Sequence, residues 1–280
     1  MNGKFIMLSG SAGLSCHADK LDIAFRFIRG FTGEVLRRGG GLVVLAGDEE
    51  STKDERGVPH VFDWLVLREV EDYAENTTEM PRPYARVIMS DKAPESKIDD
   101  DNLRLLRNLE QRNVIELCPI RREVFTGGEY RRVMIERADA MLAIGGGKGT
   151  YSAGTDMIAL GKPVLPLDLQ LGSAVDDGDG AVALHREMVS APSRFFPNTH
   201  HDMRNRVGLL SLDRGINDAD TVARVSAEML ANEFDAIPLP DQSTSIWRRV
   251  AAAWQATKAL PNIASAIKII EWIRGLLPFV

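Results

Sequence analysis

The stretch Met141-Leu-Ala-Ile-Gly-Gly-Gly-Lys-Gly-Thr150 decides the fold that we predict for this chain. Its apolar residues predict a buried strand that ends in a glycine-rich turn, and the segment from Ser152 to Leu160 has helical character. Glycine allows backbone N–H groups to approach an anion, and the N-terminus of a following helix adds partial positive charge. The stretch therefore predicts a site for an anionic, nucleotide-derived ligand. The alternative is a strand-to-helix connection that binds nothing.

Side chains of the turn favour the binding interpretation. Lys148 supplies an ammonium group and Thr150 supplies a hydroxyl, and both can donate hydrogen bonds to a phosphate. We predict that the ligand contacts every residue of the turn, namely Gly145, Gly146, Gly147, Lys148, Gly149 and Thr150.

A second turn of small residues lies near the N-terminus. Lys4 to Leu8 has the composition of a short buried strand, a helix is predicted to begin near Asp19, and Gly41 to Gly47 forms a further strand. This βαβ order is typical of dinucleotide-binding folds, in which the first turn approaches a phosphate or ribose. The candidate contacts in that turn are Ser9, Gly10 and Ser11. Close packing of the backbone is the alternative explanation for these small residues.

The rest of the chain alternates predicted strands and helices. Further strands are predicted at Ala85–Met89, Val114–Leu117, Met141–Ile144 and Pro163–Leu167, with Pro119 closing the second of these. The predicted fold class is α/β, a Rossmann-like, mostly parallel sheet flanked by helices, with a C-terminal helical extension. Ligands bind at the carboxyl ends of the strands in such sheets, so both small-residue turns should face one crevice.

Length and composition support two structural units. A chain of 280 residues with 44% hydrophobic content can bury a large core. We predict a Rossmann-like domain over residues 1–236 and a helical hairpin over residues 241–280. The hairpin is expected to pack on the main domain or on a second subunit through Trp247, Trp254 and Trp272.

Charge and cysteine content limit the function classes. The formal net charge of −6 argues against a broad nucleic-acid-binding face. Cys16 and Cys118 lie far apart, so neither a disulfide framework nor a zinc site is indicated, and a cytoplasmic location is expected. No uninterrupted apolar run is long enough for a membrane span, and no membrane partner is predicted.

Two neighbouring arginines are candidates for an anion clamp. Arg131 and Arg132 lie on a helix predicted from about Gly128, where adjacent side chains point about 100° apart. At most one of them should therefore reach a site beside the sheet, where an arginine could bind a phosphate with two N–H groups. The alternative for either residue is a solvated helix face.

Metal binding is not predicted. The acidic run Asp176-Asp-Gly-Asp-Gly180 lacks the glutamate at the twelfth position of a calcium loop, and His200-His201 lacks a further ligand at helical spacing. No cofactor is predicted either.

The chain resembles the SLOG superfamily, which includes the Lonely Guy phosphoribohydrolases. The resemblance rests on the run from Arg137 through the Ala138-Asp-Ala140 segment to Thr150, followed by Leu160-Gly-Lys-Pro-Val-Leu-Pro166, and it covers residues 4 to 190. It implies a Rossmann-like fold that binds nucleotides or their derivatives.

The Lonely Guy enzymes have a proline before the glycine turn and a catalytic glutamate shortly after it. Here Gly145 replaces the proline and Ala153 stands where the glutamate would be. Alanine can neither stabilise a cationic sugar nor transfer a proton, which argues against N-glycosidic cleavage. Asp156, one helical turn further along, could replace the glutamate or bind a ribose hydroxyl.

The chain is more similar to the ligand-sensing SLOG domains that accompany TIR and sirtuin domains in anti-phage systems such as Thoeris. This resemblance implies a receptor for cyclic ADP-ribose isomers, ADP-ribose or NAD, with Lys148 and Arg131 or Arg132 on the diphosphate. A separate effector protein or homo-oligomerisation is then expected to deliver the output. One alternative is an N-glycosidase that uses Asp156, Glu136 or Glu129, and another is a structural subunit with a vestigial pocket.

Overall fold

Parallel strands form the centre of the computed structural model, which describes residues 1–47, 53–78, 82–91, 98–121, 127–199, 206–212 and 218–236. The described strands are β1 (Phe5–Ser9), β2 (Gly41–Leu45), β3 (Ala85–Ser90), β4 (Ile115–Ile120), β5 (Ala140–Ala143) and β6 (Val164–Pro166). They pair in the order β4-β3-β2-β1-β5-β6, and every pairing is parallel. The predicted hairpin over 241–280 and the His200-His201 pair lie outside the described residues.

Helices cover the two faces of this sheet and explain its apolar sequence, because a parallel strand buried on both faces is hydrophobic throughout. Their bounds are α1 (Ala18–Arg37), α2 (Asp63–Asn76), α3 (Asp100–Gln111), α4 (Gly127–Arg137), α5 (Lys148–Ala159), α6 (Gly180–Ser190), α7 (Pro192–Phe195) and α8 (Ala219–Asp235). On α1, the residues Leu21, Ile28 and Val35 recur at helical spacing and are fully buried. The α/β, Rossmann-like fold class predicted from the sequence is confirmed.

The order of the strands reverses between β1 and β5. The chain proceeds from β1 outward to β4 and then returns to place β5 on the other side of β1, with Leu8 opposite Leu142 and Ser9 opposite Ala143. This reversal is the topological switch point at which open parallel sheets bind ligands. The turns after β1 and β5 therefore lie side by side at the carboxyl edge.

Several elements differ from the sequence-based expectations. Strand β4 continues through Pro119 to Ile120, since a proline without an N–H is tolerated on the edge strand of a sheet. Helix α5 begins at Lys148 and not at Ser152, so Lys148, Gly149 and Thr150 form its first turn. Helix α6 was not predicted, although it contacts the glycine turn directly. Within the described ranges, no helix has the length and apolar character of a membrane span.

Candidate functional site

The first loop and the glycine turn are in close backbone contact. The N–H of Gly146 donates to the carbonyl of Ser11 at 2.8 Å, and the N–H of Ile144 donates to the carbonyl of Ser9 at 3.1 Å. Gly10 has a φ of 151°, and a Cβ there would lie 1.8 Å from the carbonyl oxygen of Ile144. Glycine is therefore required at position 10, because no side chain fits between the two turns.

Helix α6 supports the glycine turn from the other side. Gly145 and Gly146 both have left-handed backbone conformations, with φ values of 61° and 68°. The carbonyl of Gly146 accepts from the N–H of Gly180, and the carbonyl of Gly145 accepts from the N–H of Ala181. These bonds bind the turn to the first residues of α6 and hold it in the conformation that only glycine adopts readily.

A cavity of about 700 Å³ opens where these elements meet. This volume is within the usual range for small-molecule sites. The structure brings together most of the residues that the sequence singled out, namely Ser9, Gly10, Ser11, Arg131, Gly146, Gly147, Lys148, Gly149 and Thr150. Thr150, in the first turn of α5, is buried, and its hydroxyl lies 3.4 Å from the hydroxyl of Ser9 at the end of β1.

Other candidates do not line this cavity. Gly145 lies behind it, against Ser11 and Leu171. Asp156 is exposed on α5, one turn further from the cavity than Ala153, which does line it. Glu129 and Glu136 also lie outside the lining.

The two arginines separate as their spacing predicts. Arg131 lines the cavity, whereas Arg132 lies outside the lining and forms ion pairs with Glu129 and Glu136 along the surface of α4. Neither Arg131 nor Lys148 forms an ion pair with another residue that the structure describes. Two cations of the cavity therefore have no anionic partner within the described part of the chain.

Two carboxylates line the same cavity and were not identified from the sequence as site residues. Asp63 begins α2, and its Oδ1 accepts from the backbone N–H of Leu45 at 2.9 Å, at the end of β2. Asp177 lies on the segment between β6 and α6, and its Oδ2 accepts from the backbone N–H of Lys148 at 3.3 Å. The sequence around Asp63 and Asp177 contains no motif that would predict a site residue, since only tertiary contacts bring them to the cavity.

Apolar side chains also line the cavity. They include Met7, Leu45, Val61, Tyr130, Met134 and Ala153. Such side chains can pack against a nucleobase while the cations and the N-terminus of α5 bind the phosphates. Among the described residues, no group of carboxylate, histidine and cysteine side chains is arranged to hold a metal ion.

Comparison with known proteins gives a family match over most of the chain. Residues 1–227 match the family described as "ATP nucleosidase Cap17-like, N-terminal". The chain is 31% identical over 236 residues to proteins named "ATP nucleosidase Cap17" from Escherichia coli (strain KTE188) and from Escherichia coli. The match covers 84% of this chain and 46% of those proteins, so it spans about half of their length.

A solved structure is also similar. The X-ray structure of TM1055 is 19% identical in sequence and aligns over 61% of this chain and 76% of that one, with a TM-score of 0.36. A TM-score this low does not bear on the function.

Proposed function

We propose, for a chain that belongs to the Cap17-like N-terminal family, that its cavity binds a nucleotide-derived anion as a receptor or regulatory site. The observation that carries this proposal is the meeting of Lys148, Arg131 and the first turn of α5 at one cavity, which Ala153 also lines. The resemblance to the Lonely Guy enzymes implies a glutamate at the position of Ala153. Binding groups are present, whereas the carboxylate expected of a Lonely Guy enzyme is absent from its position. Binding without turnover is the simplest chemistry for this arrangement.

The names of the relatives support an adenine nucleotide as the ligand class. They are called ATP nucleosidases, and this chain matches less than half of their length. We propose that the chain recognises ADP-ribose, one of its cyclic isomers, NAD or ATP within anti-phage signalling. The resemblance to the sensing SLOG domains implies the first three ligands, and the names of the relatives suggest ATP. In this proposal, cleavage of a nucleotide is not the task of the cavity described above.

Each part of the ligand has a counterpart in the cavity. The backbone N–H groups of the first helical turn have no intrahelical acceptor, and with Lys148 and Arg131 they would bind the diphosphate. The apolar lining residues, Met7 and Met134 among them, would contact the adenine ring. Asp63 begins α2 and lies beside Leu45 at the end of β2, where an acidic residue can accept hydrogen bonds from ribose hydroxyls.

A second candidate function is N-glycosidic cleavage within this cavity. The observation in its favour is that the carboxylates of Asp63 and Asp177 both line the cavity. A carboxylate can activate water or stabilise the cationic sugar that forms as the base departs. Asp63 is therefore a better placed candidate for this chemistry than Asp156, Glu129 or Glu136.

One experiment separates the two functions. The purified chain is titrated calorimetrically with ADP-ribose, its cyclic isomers, NAD, ATP and AMP, and each mixture is then analysed by chromatography for released base. We expect at least one ligand to bind without base release, and Lys148→Ala to weaken that binding at least tenfold because it removes a phosphate contact. Lys20→Ala, on α1 and outside the cavity lining, is the control.

The opposite results are equally clear. Base release that is abolished by Asp63→Asn would establish the glycosidase instead. If none of the ligands binds, the receptor proposal is refuted.

Output and location are further parts of the proposal. We propose that ligand binding is transmitted by homo-oligomerisation or to a separate effector protein, which light scattering with and without ligand would reveal. We also propose that the protein works in the cytoplasm, and its two cysteines are free thiols.

A further inference from the structure

The carboxylate of Asp177 occupies the position at the N-terminus of α5 where an anion would bind. Its Oδ2 accepts from the backbone N–H of Lys148 at 3.3 Å, and its Oδ1 accepts from the hydroxyl of Ser173 at 2.8 Å. The Ser173 oxygen in turn accepts from the backbone N–H of Asp177 at 2.9 Å. The backbone N–H of Lys148 and the hydroxyl of Ser173 thus hold the carboxylate at the first residue of α5.

Gly147 provides the space for this contact. A Cβ at position 147 would lie 1.5 Å from Oδ1 of Asp177 and 2.9 Å from the hydroxyl oxygen of Ser173. The absence of a side chain at this glycine therefore leaves room for an anionic group, and Asp177 fills that room. In the proposed function, the same place is needed by a phosphate of the ligand.

Two anions cannot share this place at low cost. A carboxylate near a helix N-terminus is stabilised by the helix dipole and by the unpaired N–H groups, and a phosphate would be stabilised by the same groups. At contact distance the two negative charges repel each other strongly in a cavity that partly excludes water. The Lys148 N–H can therefore bind either the Asp177 carboxylate or a phosphate, but not both at once.

The residues just before Asp177 make few close contacts with the rest of the protein. The N–H of Ala174 reaches the hydroxyl of Ser11 at 3.3 Å, and Val175 is 77% exposed. The segment is anchored ahead of them, where the N–H of Gly13 donates to the carbonyl of Leu171 at 2.7 Å and Ser173 is buried. Displacing the Asp177 carboxylate therefore requires movement of residues 174–177, which costs less free energy than opening the strands of the sheet.

We infer that Asp177 is a built-in competitor for the anionic group of the ligand, and that a phosphate binds only when the carboxylate leaves the Lys148 N–H. This inference rests on the proposed function and adds regulation of the same site. The affinity for phosphate-bearing ligands therefore depends on how much more favourably the phosphate binds at the Lys148 N–H than the Asp177 carboxylate does.

The test compares phosphate-bearing and phosphate-free probes. Binding of ADP-ribose, ATP, inorganic pyrophosphate and adenosine is measured calorimetrically for the wild-type chain and for Asp177→Asn. We expect Asp177→Asn to bind the three phosphate-bearing probes about tenfold more tightly, because the competing charge is gone, and to bind adenosine as the wild type does. A gain in affinity is not the result of a damaged fold.

Two further variants complete the experiment. Asp176→Asn makes the same chemical change at the adjacent, exposed residue outside the cavity lining, and it should leave all affinities unchanged. Ser173→Ala removes the donor that holds Oδ1, and it should tighten binding of the phosphate-bearing probes by a smaller factor than Asp177→Asn does.

The outcomes distinguish this inference from the proposed function. If the wild type binds and Asp177→Asn binds equally or more weakly, Asp177 is not a competitor, while the receptor proposal stands. If only Asp177→Asn binds, Asp177 competes for this position, while the receptor proposal for the wild-type chain fails. If neither protein binds any probe, the proposed function fails together with the inference.

Discussion

The guanidinium of Arg131 lies against Gly149, and a Cβ on that glycine would come within 3.2 Å of its Nη2. This contact places an arginine from α4 beside the first turn of α5, where backbone N–H groups are unpaired within the helix. Arg132, the next residue along α4, instead forms ion pairs with Glu129 and Glu136. A rotation of about 100° along the helix separates a residue of the cavity from a residue of the surface.

The first prediction uses this pair of neighbours as variant and control. We expect Arg131→Ala to weaken binding of ADP-ribose or another phosphate-bearing ligand at least tenfold, since a charged hydrogen bond to phosphate is lost. Arg132→Ala should change the affinity less than twofold, because it removes only ion pairs on the helix surface. Titration calorimetry measures both. Equal effects of the two variants would contradict the placement of Arg131 in the site.

The second prediction concerns the contact between the two turns. We expect Gly10→Ala to lower the free energy of unfolding by more than about 3 kcal/mol, because its Cβ would overlap the carbonyl of Ile144 and its φ is unfavourable for alanine. Gly33→Ala is the control: that glycine lies within α1, and its Cβ would meet only the far end of Arg37. The control should raise stability by about 0.5–1 kcal/mol. Urea denaturation followed by circular dichroism gives both values.

A third prediction addresses the buried carboxylate of Glu233 on α8. It is 1% exposed and accepts from the backbone N–H groups of Asn198 and Thr199, each at 2.9 Å, and from the Thr199 hydroxyl at 2.7 Å. We expect Glu233→Ala to destabilise the protein by about 3 kcal/mol, because three partly buried donors lose a charged acceptor. Glu228→Ala, on the same helix but partly exposed and paired with Arg206, should cost less than about 1 kcal/mol. Similar melting temperatures for the two variants would disprove this assignment.

The fourth prediction concerns pH. Burial raises the pKa of the Asp179 carboxyl above its usual range, while the hydrogen bond from the backbone N–H of Gly172 opposes the shift. The folded protein therefore keeps this proton to higher pH than the unfolded chain does. Stability from this group is fully present below the unfolded-state pKa and is lost as pH rises through the folded-state pKa.

Asp179→Asn tests that sign. Asparagine keeps a side-chain oxygen that can accept from the backbone N–H of Gly172, and it has no charge to bury. The variant should therefore gain stability relative to the wild type as pH rises from about 4 to about 7. Chemical denaturation at the two pH values measures the difference. An advantage of the variant that shrinks over this interval would contradict the raised pKa.

Much of the fold follows from local sequence. The apolar runs at Ile6, Val43 and Leu142 predict buried parallel strands, and the glycines after β5 predict a turn that other residues would not adopt, with φ values of 61° and 68° at Gly145 and Gly146. The helical spacing of Arg131 and Arg132 also predicts that at most one of them reaches the site. These features depend only on residues that are close in the chain, so they can be predicted from the sequence.

The order of strands and helices and the position of the glycine turn follow from local sequence, because hydrophobic period and glycine conformation act over a few residues. The tertiary structure alone decided that Asp63 and Asp177 line the cavity and that the carboxylate of Asp177 lies on the N–H of Lys148. That contact joins residues 29 positions apart in the chain. It depends on how β6 and α6 are placed beside the turn, and no local pattern encodes that placement.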